Sequence, residues 1–91
     1  MEIEEIVDRN GKEIQTVVAM EELSELIQAL SKDLRGKPDR DNLIEEIADV
    51  YIVLAEQMYI HRIDLNDVLT VMVEKLERMK ERMKDECNTH D

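Results

Sequence analysis

The chain has 91 residues, enough for one small domain over 1–91, and its 23 acidic and 12 basic residues give a formal net charge of -11. Such a surface repels a phosphate backbone, which argues against nucleic-acid binding as the main activity. No run approaches the roughly 18 apolar residues of a membrane span, the acidic start MEIEEIVDRN lacks the apolar stretch of a secretory leader, and the single cysteine, Cys87, excludes an intrachain disulfide and a cysteine-based zinc site, so a cytoplasmic setting is the simplest expectation.

In chain order, a short, weakly helical piece carries Ile3, Ile6 and Val7 and ends at the turn signal Asn10-Gly11. A long helix follows, with Ile14, Val17, Val18, Leu23, Leu26, Ile27, Leu30 and Leu34 at helical spacing, stopped by Gly36 and Lys37-Pro38. Asp39 or Asp41 can cap the third helix. That helix is apolar nearly all round, from Leu43 to Ile60, and should be buried on most sides. After a break near His61 to Ile63, Asp64 caps a last helix striped with Leu65, Val68, Leu69, Met72, Leu76, Met79 and Met83, and the tail from about 86 to 91 is expected to fray. The methionines read as core filler, and Tyr51 and Tyr59 as residues buried at a helix interface. The fold class is therefore all-α: three main helices plus a short N-terminal one. A single copy has too little mass to cover the third helix, so self-association should complete the bundle.

Two segments share a layout. Glu21-Glu22-Leu23-Ser24-Glu25-Leu26 matches Glu45-Glu46-Ile47-Ala48-Asp49-Val50. At about 100° per residue, Glu22 has Val18, Leu26 and Ala29 within about 40° and Glu25 about 60° away. Glu21 falls with Glu13, Ser24, Gln28 and Lys32 on a polar face. Glu46 is bracketed by Leu43, Val50 and Val53, with Asp49 about 60° off toward a more polar side holding Glu45 and Glu56. One acid of each doublet is thus surface, and the other belongs to an inward pair. If the two helices pack antiparallel, Glu22, Glu25, Glu46 and Asp49 converge, and the repulsion must be met by protons or by cations. An all-oxygen set suits Mg²⁺ or Mn²⁺. A di-iron site would want Glu-x-x-His, and no acid here has histidine three residues on. One Glu-x-x-Glu pair is usually a solvated face, so spacing alone leaves a metal site and a structural reading both open.

The words MEELSELIQALSK and NLIEEIADVYIVLAEQ, with Glu22-x-x-Glu25 and Glu46-x-x-Asp49 inside them, resemble the MazG-like nucleotide pyrophosphohydrolases of the all-α NTP pyrophosphatase superfamily, over about Glu13 to Arg82. The resemblance implies Mg²⁺-dependent hydrolysis of a nucleoside triphosphate to the monophosphate and pyrophosphate by a homodimer or homotetramer. It places Glu22, Glu25, Glu46 and Asp49 as metal ligands. On this analogy Glu25 orients or deprotonates the attacking water. Lys75, Arg78 and Arg82 fall where relatives carry phosphate-binding residues; the plainer reading pairs them with Glu74, Glu77 and Glu81. Two features depart from relatives: the aspartate helix does not run on to the histidine of phosphoribosyl-ATP pyrophosphatases, and an asparagine sometimes found in the last helix is missing. The competing expectation is a non-catalytic acidic helical module, either a nucleotide-binding relative or an adaptor or DNA mimic.

Overall fold

The computed structural model describes residues 2–89, with side chains as far as Glu86. His90, Asp91 and the Cys87 side chain lie outside the described residues. Four helices follow one another: α1 (Glu2–Asn10), α2 (Lys12–Leu34), α3 (Arg40–His61) and α4 (Leu65–Thr89). α4 is helical as far as Thr89, and the rest of the tail expected to fray lies outside the described residues.

The breaks fall where local chemistry puts them. Gly11 (φ 93°) and Gly36 (φ 80°) take left-handed backbone conformations that side chains disfavour, and the Gly36 turn closes α2 with the Lys37 N–H on the Lys32 carbonyl at 3.0 Å. Asp39 opens α3: its Oδ1 accepts the Asn42 N–H at 3.1 Å. Asp64 does the same for α4, accepting the Asn66 N–H at 2.8 Å. Between them Arg62 ends α3 at φ 53°, and the Ile63 N–H reaches back to the Met58 carbonyl at 2.9 Å.

α2 and α3 form an antiparallel hairpin, and α1 folds across its open end. Val7 is buried there, and the Tyr59 hydroxyl donates to Asp8, 2.8 and 3.0 Å from its two carboxylate oxygens. The buried apolar residues are Val7, Ala19, Ala29, Val50 and Val53, all small. Close helix approach, rather than bulk, therefore holds the hairpin together.

α4 leaves this body and packs extensively against none of the other helices. The radius of gyration is 17.5 Å, against about 12 Å for a compact chain of this length. The accessible surface is 7795 Å², against about 5,500 Å² expected of a compact monomer of this mass.

That departure settles where the apolar faces lie within one chain. α3 is left uncovered by the single copy, as its small mass predicts: Ile44, Ile47, Tyr51, Ile52 and Leu54 face solvent. Tyr51 is 73% exposed rather than buried at an interface. Met20, Met72, Met79 and Met83 are exposed rather than filling a core. In each case the pattern identified an apolar face correctly, but the element that would cover it is not supplied by this chain.

Candidate metal centre

The site grows out of the α2/α3 seam. From α2 the positions Gln15, Val18, Glu22, Glu25 and Ala29 recur at intervals alternating between three and four residues. From α3 the positions Asn42, Glu46, Asp49, Val53 and Glu56 do the same. This is the spacing of a two-helix seam, where each residue sits on the line of contact. Side-chain contacts fix the register: Gln15 meets Glu56, Glu22 meets Asp49, and Glu25 meets Glu46. In every one of these pairs the two residue numbers add to the same total, as one continuous antiparallel register requires.

Two layers of this seam are acid against acid. Glu22, Glu25 and Glu46 can each offer a carboxylate oxygen such that the three oxygens lie within 4.8 Å of one another. Asp49 stands outside that trio and touches Glu22. Glu22 and Glu46 are half-buried, and one oxygen of each, Oε2, is shut off from solvent with no hydrogen-bond partner. Glu21 and Glu45 face solvent, as the helical wheel predicted, whereas Glu25, placed by the wheel in the inward pair, is exposed because it lies at the solvent edge of the seam.

The electrostatics follow from this geometry. The Glu22 carboxyl is pushed above the ordinary glutamate range, first by desolvation in the seam, then by the charges of Glu25 and Asp49. Glu46 is pushed up in the same way, by desolvation and then by Glu25 and Asp49. A proton on Glu22 would bridge to Asp49, and one on Glu46 would bridge to Glu25. Fully ionised, the cluster has closed-off oxygens and no donor to satisfy them, which is costly unless a cation enters. Oxygen ligands from two helices, none from sulfur or nitrogen, fit a hard divalent ion.

The predicted basic residues are brought together, but elsewhere. Lys75, Arg78, Arg82 and Met79 line a shallow cleft of about 270 Å³ on α4. Because α4 stands away from α2 and α3, this cleft is not part of the chain's own carboxylate cluster. The expected ion pairs with neighbouring glutamates do not form for these three among the described residues; Glu77 pairs instead with Lys80 at 3.6 Å. A separate cleft of about 770 Å³, lined in part by Asp8, Lys12, Tyr59 and Arg62, lies at the α1 end and holds none of the four carboxylates.

One polar layer was missed from sequence. Glu56, expected on a polar side, is 3% exposed and accepts the Gln15 amide at 2.9 Å. Gln15 is itself buried, and its Oε1 accepts from Asn10 Nδ2 at 2.8 Å. The wheel of α3 alone put Glu56 off the Glu46 face, but continuing the three-four spacing from Asp49 through Val53 lands on it.

The family model for the MazG nucleotide pyrophosphohydrolase domain matches residues 10–84. No curated protein and no solved structure matches the chain.

Proposed function

The chain belongs to the MazG nucleotide pyrophosphohydrolase domain family, and from that membership and the carboxylate cluster we propose that it hydrolyses a nucleoside triphosphate to the monophosphate and pyrophosphate, with Mg²⁺, or Mn²⁺ in its place, held by Glu22, Glu25, Glu46 and Asp49. The observation that carries this reading is the pair of closed-off, unpartnered oxygens, Glu22 Oε2 and Glu46 Oε2, inside a trio of glutamates. A solvated acidic face has no reason to strip water from two carboxylates and leave them without donors.

When bound, a divalent cation neutralises triphosphate charge and lowers the pKa of the attacking water. The chain's own residues do the rest. Glu22, Glu46 and Asp49 supply fixed oxygen ligands from two helices locked side by side. Glu25 is the exposed member of the trio, so its carboxylate can both ligate and accept a hydrogen bond from a water at the solvent edge, orienting that water or taking its proton. Lys75, Arg78 and Arg82 present three cations around one cleft, suited to phosphate oxygens.

Those cations stand apart from their own chain's carboxylates, so we assign them to the site of a second copy. The surface left open exceeds that of a compact monomer by about 2,300 Å², an excess in the range that obligate dimers bury. It includes apolar stripes on α4 (Leu69, Met72 and Leu76) and on α3 (Ile44, Ile47 and Tyr51), beside exposed apolar residues of α2 such as Met20 and Ile27. The cluster of Lys75, Arg78 and Arg82 on α4 is also attracted to the acidic hairpin. A homodimer, or a tetramer built from it, completes the bundle.

Pyrophosphate release from a panel of ordinary and modified nucleoside triphosphates, with and without Mg²⁺, tests the reading. Mg²⁺-dependent release from one or more of them is expected. Mg²⁺-dependent nucleotide binding with no release from any would turn the chain into a binding relative, and neither binding nor release would leave the acidic-module reading.

A further inference from the structure

The acids of the seam create a problem that the seam must solve elsewhere. Two of its layers, Glu22 with Asp49 and Glu25 with Glu46, set like charges against one another. Until a cation or proton arrives, these layers oppose the register that the metal site needs. Val18 and Val53 occupy the next layer position, and aliphatic layers tolerate sliding, because one apolar contact is much like another. Ala29 and Asn42, at the far end, have no large side chain to interlock.

Gln15 and Glu56 are different. They form a complementary polar pair across the seam, 2.9 Å apart, with residue exposures of 4% and 3%. Asn10 donates to Gln15 Oε1, which fixes the amide so that its NH₂ group points at Glu56. Gln57 donates to Thr16 Oγ1 at 3.3 Å across the same end of the hairpin. The helix carrying Asn10 is itself tied to α3 by Tyr59 and Asp8. Sliding α2 along α3 by one turn would leave the Glu56 carboxylate buried with no donor. A buried polar pair that is satisfied in only one alignment is the known means by which two helices fix their register.

We propose that Gln15 and Glu56, oriented by Asn10, are positioning residues for the carboxylate site: they lock the register that holds Glu22, Glu25, Glu46 and Asp49 opposite one another. Glu56 lies seven residues, about 10.5 Å along the helix, from Asp49, and its carboxylate is buried against Gln15, so it is not itself a ligand of the cation. This inference rests on the metal-binding reading for its consequence, but the lock itself is a property of the metal-free hairpin.

The test uses the full chain with Cys87 replaced by serine and spin labels on cysteines placed at Glu13 and Glu45, both exposed, diluted into excess unlabelled protein so that only the distance within one chain is read. Inter-label distances are measured by double electron–electron resonance, and Mn²⁺ affinity by titration of free Mn²⁺. Three proteins are compared: the parent, Gln15→Leu/Glu56→Leu, and the exchanged pair Gln15→Glu/Glu56→Gln, which keeps one amide facing one carboxylate. The leucine pair should stay helical, yet without metal its single distance should split or broaden by about one turn, ~5.4 Å. Its Mn²⁺ affinity should fall about 10- to 100-fold, the range typical of residues that orient metal ligands. The exchanged pair should restore both the narrow distance and the affinity. A leucine pair with the parent's narrow distance overturns the lock. So does an exchanged pair that fails as the leucine pair does, since shape rather than polar pairing would then matter. A parent with one narrow distance that binds no Mn²⁺, beside a broadened leucine pair, retains the lock and overturns the metal reading instead.

Discussion

Replacing Glu22 with glutamine should move stability and function in opposite directions. In the metal-free protein Glu22 meets Asp49, is pressed by Glu25, and has one oxygen closed off without a donor. Glu22→Gln removes one negative charge from the group and places an amide N–H where a proton would otherwise have to sit. A net intramolecular hydrogen bond contributes about 0.5–1.5 kcal/mol, and the half-exposed position argues for the lower part of that range, since solvent screens the site. About 0.5 kcal/mol corresponds to a rise in Tm of ~2–4 °C for a domain of this size. In EDTA, at fixed protein concentration, the variant should therefore melt higher than the parent. With Mg²⁺ the order should reverse. A parent site at 100 times its Kd gains about 2.7 kcal/mol, while the variant lacks an anionic ligand and gains little. Differential scanning calorimetry with and without Mg²⁺, beside pyrophosphate release, reads both arms. A variant that melts lower in EDTA, or that keeps the parent's Mg²⁺-induced shift, would refute the argument that these carboxylates are strained toward a cation.

Further outcomes follow from the same geometry. Glu22 and Glu46 have folded-state pKa values raised above their unfolded ones, so their contribution to metal-free stability is full below the ordinary glutamate range, near 4.3, and is lost as pH climbs through the raised values; Tm in EDTA should fall across that window, and saturating Mg²⁺, which selects the ionised form, should flatten the fall. Changing Lys75, Arg78 and Arg82 together to alanine should raise KM strongly while leaving far-UV circular dichroism unchanged, because the three side chains are exposed and hold no fold contact; an unaltered KM would remove them from the phosphate site. Leu76→Asp, in the middle of the exposed stripe of α4, should shift light-scattering mass to the monomer and abolish turnover with it. Mixing that α4 variant with a Glu46→Gln protein should recover part of the activity if one copy supplies α4 to the other; no recovery in verified mixed dimers would return the cations to their own chain.

Some of this protein can be read without coordinates because the determining interactions are local. Glycine at 11 and 36 supplies backbone angles that other residues resist, and Asp39 and Asp64 satisfy helix N–H groups within three residues of themselves. The four helices and their ends follow from those short-range facts. The convergence of Glu22, Glu25 and Glu46 was legible for a related reason: helical period turns sequence spacing into direction, and the same acid-apolar layout appears on two helices joined by a short loop, so their faces meet once the loop makes them antiparallel. Glu21 and Glu45 were separated from Glu22 and Glu46 by that geometry alone.

What the sequence left open are relations between helices. Periodicity says which way Glu56 points on its own helix, but not that Gln15 stands opposite, because that depends on the register of two helices and on Asn10 arriving from a third. It also shows that α4 has an apolar face without showing where the face goes; in the folded chain α4 leaves the hairpin, so Tyr51 and the stripe methionines that read as core are open to solvent. Direction around a helix is set by bonds a few residues apart, whereas alignment between helices is set by contacts between side chains 41 residues apart, as for Gln15 and Glu56, and only the packed tertiary structure decides those.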